Sequence, residues 1–112
     1  MIDLEIDQKT ELAETFGILS DPTRLSIVLA CMNMEISAGD IATKLNVSAS
    51  LVSHHLRLLR SARIVRSERR GKQVFYTMTD ACIRDVLTTM INHLFLHDHL
   101  ETDTEFEGET VW

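Results

Sequence analysis

The chain has 112 residues, of which 45% are hydrophobic, and its formal net charge is −6. This length is typical of one small domain, and no apolar run approaches the roughly 18 residues that a membrane-spanning helix needs. The first residues, MIDLEIDQ, are acidic and lack the basic segment of a secretory signal, so we expect a cytoplasmic protein. Two cysteines, Cys31 and Cys82, are too few for a disulfide scaffold.

The charge is unevenly distributed along the chain. Positions 48–73 hold seven basic residues and one acidic residue, a local charge of +6. Positions 98–112 hold six acidic residues and no Lys or Arg, and the first fourteen residues hold five acids against one lysine. A basic middle between acidic ends indicates one dedicated phosphate-binding surface. The acidic end lacks periodicity, so we expect one domain over residues 1–98 and a disordered tail over 99–112.

Two helices are predicted in the first third of the chain, over residues 8–19 and from residue 22 to about residue 33. Asp21 is a suitable N-cap for the second helix, and Pro22 suits its first position. Leu12, Phe16 and Leu19 form one stripe of the first helix, and the predicted inward positions of the second helix are Leu25, Val28, Leu29 and Met32.

A short helix, a tight turn and a longer helix follow. Ser37 and Asp40 have the spacing of a capping box, which predicts the start of the short helix. Residues 46–48, Asn-Val-Ser, are predicted to form the turn, and Ser48 to cap the longer helix. This order of elements is typical of a helix-turn-helix motif.

The stretch over residues 47–60, which contains the longer helix, has two different faces. Val52, Leu56 and Leu59 recur at the spacing of one apolar stripe. The other face carries hydroxyl, imidazole and guanidinium groups, which suit hydrogen bonding to base edges in the major groove. An ordinary amphipathic surface helix would show the same stripe, so the choice between the two interpretations depends on the neighbouring elements. The candidate DNA-reading residues are Ser48, Ser50, Ser53, His54 and Arg57.

A β-hairpin and a long helix are predicted in the second half of the chain. The runs 64–69 and 74–79 are rich in β-branched and aromatic residues and flank a basic tip, which predicts a wing. A helix is predicted from residue 80 to about residue 97, and its broad apolar face predicts packing against a second subunit. The candidate phosphate contacts are Arg60, Arg69, Arg70 and Lys72.

Together these residues resemble the ArsR/SmtB family of winged helix-turn-helix transcriptional repressors. The resemblance rests on LSDPTRLSIVLA at 19–30, on the segment 35–80 with VSHHLRLL at 52–59 and its basic hairpin, and on the long helix. It implies a mostly α-helical winged helix-turn-helix fold with a small β-hairpin. It also implies a homodimer formed by the first and last helices, a palindromic operator in double-stranded DNA, and release by an effector that is often a metal ion.

The metal sites of the family match this chain only in part. One site uses cysteines at the start of the third helix, where this chain has serine and glycine, so we expect that site to be absent. The other site lies on the last helix. Asp80, Cys82 and His93 match three of its positions, while Leu96 occupies the fourth and His97 follows it.

Helix geometry sets what this last site requires. Asp80 and His93 are thirteen residues apart, about 20 Å at a rise of roughly 1.5 Å per residue. Two antiparallel helices of a dimer would instead bring Asp80 and Cys82 of one subunit to His93 and His97 of the other. Carboxylate, thiolate and imidazole together favour Zn or another late transition metal. In the alternative interpretation Asp80 only caps the helix and Cys82 only packs. The repressor would then have no metal site and would respond to a redox or organic effector.

Cys31 and His55 have structural interpretations, and the sequence gives little support to the rival functions. Cys31 is expected to be a buried, inert thiol, with a Cys31–Cys82 redox pair as the alternative. His55 lies on the flank of the apolar stripe and is expected to be structural. A small metal-dependent enzyme would need a cleft motif that the sequence lacks, and a protein-interaction module would leave the basic segment unexplained. We therefore expect a DNA-binding repressor and no enzymatic activity.

Overall fold

We describe residues 1–96 of a computed structural model; His97 and the predicted tail over 99–112 lie outside the described residues. The described chain forms a first compact unit, Met1–Asp80, and the beginning of a second unit that starts at Ala81. The helices are α1 (Ile6–Leu19), α2 (Pro22–Ala30), α3 (Ala38–Leu45), α4 (Ala49–Ser61) and α5 (Ala81–Ile91), which a π-helical segment (Asn92–Leu96) follows. The strands are β1 (Ile36–Ser37), β2 (Val65–Arg70) and β3 (Gln73–Met78). The predicted mostly α-helical winged fold with a small β-hairpin is confirmed.

The first two helices begin where side chains satisfy their free N–H groups. In α1, Glu5 and Gln8 form a capping box, and the Glu5 N–H donates to Gln8 Oε1 at 2.9 Å, so the helix begins two residues earlier than predicted. In α2, Asp21 Oδ2 accepts from the Arg24 N–H at 2.9 Å, as predicted. The predicted end of α2 near residue 33 was wrong, because the Cys31 N–H closes the last turn on Ile27 and Val28 carbonyls.

The core of the first unit lies between α2, α3, α4 and the three strands. Cys31 is fully buried, as predicted, and this burial raises the pKa of its thiol to about 11. The predicted inward position of Leu29 was wrong, because α2 turns Ile27 inward and leaves Leu29 41% exposed. The buried apolar residues are Ile27, Val28, Cys31, Met32, Ile36, Ile41, Val52, Leu56, Leu59, Ile64, Val65 and Met78.

The strands form an antiparallel sheet in the order β1-β3-β2. Both hairpin strands lie within one residue of their predicted bounds, and Gly71 takes the positive φ of 65° that the two-residue turn requires. Strand β1 was missed because two residues are too few to show a period of two. Ser67 lies opposite Tyr76 and Glu68 opposite Phe75, so these two pairs lie on opposite faces of the sheet.

Apolar side chains of two helices remain exposed in the described chain. Leu12 and Phe16, on the predicted apolar stripe of α1, are 49% and 60% exposed. In the second unit, α5 and the π-helical segment contain no buried residue. Exposed there are Val86, Met90, Leu94, Phe95 and Leu96. A groove of about 440 Å³ runs along this unit, lined by Asp85, Val86, Thr89, Met90 and His93. Within residues 1–96, no helix is both long and apolar enough to cross a membrane.

A test of the turn between α3 and α4 follows from its backbone. Asn46 has φ 57° and ψ 48°, a left-handed conformation that glycine and asparagine adopt at low cost. Asn46→Ala should lower the free energy of unfolding by about 1 kcal/mol, whereas Asn46→Gly should stay within about 0.5 kcal/mol of the parent. Urea unfolding measures both, with Asn33→Ala, at another exposed asparagine, as the control. An Asn46→Ala variant as stable as the parent would contradict this explanation of the turn.

Candidate nucleic-acid interface

The helix-turn-helix is formed by α3, the turn at residues 46–48, and α4. Ser37 Oγ accepts from the Asp40 N–H at 3.1 Å and begins α3, and Ser48 Oγ accepts from the Leu51 N–H at 3.1 Å and begins α4. Both predicted caps are confirmed. Because each cap fixes the first turn of its helix, the sequence determines where α4 starts and which side chains it presents.

Helix α4 is divided into a buried stripe and an exposed face, as predicted. Val52, Leu56 and Leu59 are at most 1% exposed. The helix contains no Asp or Glu, so the polar groups that it exposes are neutral or positively charged. We define the DNA-reading face as the predicted residues Ser48, Ser50, Ser53, His54 and Arg57, all of which are exposed.

The hairpin presents exposed cations, and its register assigns them to different faces. Arg69 lies on the same sheet face as Ser67 and Tyr76, whereas Arg70 lies on the face of Phe75. Lys72 is exposed at the tip. Arg60, in the last turn of α4, donates from Nη1 to Ser67 Oγ at 3.3 Å and so links the helix to β2.

Arg70, a predicted phosphate contact, is engaged by carboxylates of this chain. Its Nη2 donates to Glu35 Oε2 at 2.6 Å and to Glu68 Oε1 at 3.0 Å. The guanidinium also lies 5.0 Å from the centroid of the Phe75 ring, a cation–π arrangement. These contacts raise the pKa of Arg70, chiefly through the Glu35 hydrogen bond. They connect the wing to the loop before β1.

A cleft of about 210 Å³ lies between α4 and β3. We call it the basic cleft; it is lined by Ser53, Leu56, Arg57, Arg60 and Tyr76. Sequence reasoning assigned no role to Tyr76. The only available signal was the alternation along β3, which places Tyr76 on the face opposite Phe75, but the sequence does not show that this face meets α4.

A polar contact connects α2 to α4 beside the buried stripe. His55 is 7% exposed, which confirms its predicted structural position. Arg24 Nε donates to the Ile18 carbonyl at 2.8 Å, and Arg24 Nη1 lies 3.4 Å from His55 Nδ1. Because a guanidinium can only donate, His55 Nδ1 accepts only when it carries no proton. Burial and the charge of Arg24 lower the pKa of His55.

The predicted metal ligands lie at the two ends of the last helical region. Asp80 and Cys82 are exposed near the start of α5, His93 is exposed in the π-helical segment, and His97 lies outside the described residues. Within residues 1–96, no three His, Cys, Asp or Glu side chains are grouped as a metal site. The donor set of carboxylate, thiolate and imidazole still fits Zn or a late transition metal, provided that two chains supply it.

The capped helix pair, the exposed basic face and the hairpin define a winged helix-turn-helix protein. Residues 21–67 match the model of the bacterial regulatory protein family arsR. A transcriptional repressor SmtB homolog from Synechocystis is 37% identical over 81% of this chain and 69% of that protein. A cadmium resistance regulatory protein CadC homolog from Staphylococcus aureus is 31% identical over 85% of this chain and 76% of that protein.

A solved structure has the same fold. It is the homodimeric winged helix-turn-helix DNA-binding domain Mb0332 from Mycobacterium bovis, with a TM-score of 0.74 at 19% identity over 95% of this chain and 99% of that one. With the sequence relatives above, this chain belongs to the ArsR/SmtB family of transcriptional regulators. It is a DNA-binding regulator and not an enzyme.

A pH dependence follows from His55. Because its pKa is lower in the folded chain, the unfolded chain binds more protons between that pKa and the ordinary value of about 6.5. The free energy of unfolding should therefore decline as the pH falls from about 7.5 to about 5. Urea unfolding across this range measures it. His55→Gln should flatten the dependence, and His54→Gln, at the exposed neighbour, should keep it; the reverse pattern would contradict the assignment.

Proposed function

We propose that the chain is a homodimeric repressor that binds a palindromic operator and releases it when an effector binds. The single observation that carries this proposal is the division of α4, whose apolar stripe is buried while its acid-free polar face is exposed. We assign DNA binding and dimerisation to residues 1–98. A regulator that binds operator DNA acts where the chromosome lies, which places it in the cytoplasm.

Each group of the surface has a distinct role in this proposal. The DNA-reading face enters the major groove, where hydroxyl and imidazole groups meet base edges and Arg57 reaches guanine. Arg60, Arg69 and Lys72 hold backbone phosphates, which fix the register of the protein on the duplex. Arg70 remains engaged by Glu35 and Glu68, so its contribution is to hold the wing in position.

The homodimer is supported by two apolar surfaces. Leu12 and Phe16 on α1, and Val86 and Met90 on α5, are all at least 49% exposed, and a monomer would leave them in water. The Mycobacterium bovis domain with the same fold is homodimeric. A two-fold dimer presents two copies of α4, which suits two half-sites about 34–36 Å apart on one side of the duplex.

The effector is proposed to be Zn or another late transition metal, since the name of the CadC homolog includes cadmium resistance. Asp80 and Cys82 of one protomer would hold the ion with His93 and His97 of its partner. The ion would act as a bridge between protomers. To release DNA it must bind the DNA-free dimer more tightly than the DNA-bound dimer, because equal affinity would shift nothing.

Two variants test the DNA interface on a duplex that the parent protein selects from random sequences. One should weaken binding to all DNA, and the other should weaken chiefly the binding to the selected duplex. Lys72→Gln removes one phosphate contact per protomer, so a dimer should bind all DNA more weakly, with a salt slope smaller by about 1.8. Arg57→Gln removes a base contact and should cost about 1–3 kcal/mol on the selected duplex, and less on random DNA. Fluorescence anisotropy at several salt concentrations measures both.

Lys9→Gln is the matched control for this experiment, because it removes one exposed lysine from α1, outside the proposed surface. It should bind DNA like the parent. If Lys72→Gln and Arg57→Gln also bound like the parent, the assigned surface would be wrong.

Cobalt tests the metal proposal, because the absorption spectrum of the bound ion depends on its ligands. Added Co should give a thiolate charge-transfer band that disappears in Cys82→Ser and persists in Cys31→Ala, since Cys31 is buried in the core. His93→Ala should keep DNA binding but lose the release by metal. Chelator should leave the dimer intact in sedimentation, because apolar contacts hold it.

Two results would refute the metal effector: no ion bound at stoichiometric amounts near neutral pH, or ions bound with unchanged DNA affinity. An organic effector would then be favoured, with the groove along α5 as its first candidate site.

A further inference from the structure

The basic cleft has the chemistry of an anion site. Two of its five lining residues, Arg57 and Arg60, are arginines one helical turn apart, and Ser53 and Tyr76 add hydroxyl groups. None of the described residues that line it is acidic. Glu68, the acid of the hairpin, lies on the opposite sheet face and is bound by Arg70. The cleft therefore concentrates positive charge and hydrogen-bond donors without a competing carboxylate.

The cleft is partly organised before any ligand arrives. Arg60 donates to Ser67 Oγ through one nitrogen, and a guanidinium has five donors in a planar fork, so most of them remain for an anion. Tyr76 is half-buried on the central strand β3, opposite Ser67. Because a tyrosine side chain has only two main torsions, its hydroxyl loses little freedom when it donates.

The volume limits what the cleft can hold. At about 210 Å³, it is smaller than the roughly 300–1,000 Å³ of sites that hold drug-sized ligands. A single phosphate group is the anion that this size and donor set fit, and arginine forks match phosphate oxygens bidentately.

We propose that the basic cleft binds one phosphodiester of the DNA backbone, and that Tyr76 is a direct ligand of this phosphate together with Arg60. We call this phosphate-binding site the seat. This inference rests on the proposed function. A phosphate bound between α4 and β3 contacts the recognition helix and the hairpin at once. It therefore fixes how deeply α4 enters the groove relative to the wing, which a phosphate on the helix alone could not do.

Three variants test the seat on a duplex selected by the parent protein. Arg60→Gln should weaken binding at least tenfold and reduce the salt slope of a dimer by about 1.8. Tyr76→Phe removes one neutral donor per protomer, so it should weaken binding of a dimer roughly 30-fold, as expected for two hydrogen bonds of roughly 1 kcal/mol each, and leave the slope unchanged. Arg66→Gln is the matched control, since Arg66 pairs with Thr77 on the other sheet face; its affinity and slope should equal those of the parent.

A second measurement locates the phosphate on the DNA. Each phosphate of one half-site is replaced in turn by an uncharged methylphosphonate. At one position the loss of affinity in the parent should disappear in Arg60→Gln and become smaller in Tyr76→Phe, because the second variant loses the hydroxyl contact but keeps the Arg60 contact. Urea unfolding of each variant shows that the fold is retained; a Tyr76→Phe variant of parental affinity, or losses that add at every position, would overturn the seat.

Two further outcomes distinguish a failure of the phosphate seat from a failure of the proposed DNA-binding function. If the parent binds no DNA, the proposed function fails; if it binds DNA but Arg66→Gln flattens the slope as much as Arg60→Gln, only the seat fails. Inorganic phosphate is titrated as a second probe, with the Arg60 Nε–H signal followed by NMR. Saturation by phosphate that leaves DNA affinity unchanged would assign the cleft to a free phosphate compound and overturn the DNA seat.

Discussion

The buried stripe of α4 is the constraint on which the interface depends. Val52, Leu56 and Leu59 are essentially fully buried, and each such side chain contributes roughly 1.5–3 kcal/mol when it leaves water. Rotation of the helix by even one residue position would expose one of them. The same contacts therefore hold Ser53 and Arg57 outward, so apolar packing determines which polar groups can meet DNA. The recognition chemistry depends on the core more than on contacts of the polar face.

Polar contacts at the edges of α4 supply what the apolar stripe cannot. A hydrophobic face resists rotation but allows sliding along the helix axis, and polar contacts to other elements limit such sliding. Ser48 fixes the first turn, and Arg60 connects the last turns to Ser67 on β2. Arg24 reaches His55 in the middle and holds the Ile18 carbonyl at the end of α1. Three elements thus position α4, and a change in α1 or β2 reaches the helix through hydrogen bonds.

Much of this arrangement could be predicted from the sequence, because its signals are local. The caps at Ser37 and Ser48, the stripe of α4 and the hairpin with its basic tip each depend on residues within a few positions of one another. Strand β1 could not be predicted, since it consists of two residues and exists only by pairing with β3. The apolar stripe of Leu12 and Phe16 could be predicted but its exposure could not, because periodicity identifies an apolar face and does not say whether its cover is in the same chain.

The position of Arg70 shows why residue type alone could not assign the wing. Arg69 and Arg70 are neighbours of equal charge, and the sequence treats them alike. The register separates them, because consecutive strand residues point to opposite faces. Arg70 thereby meets Glu35, Glu68 and Phe75, while Arg69 lies on the face that carries Tyr76. Pairs exposed to this degree contribute little to stability, so their effect is better understood as orientation. Of these two arginines, Arg69 adds positive charge on the side of α4, whereas Arg70 orients the wing.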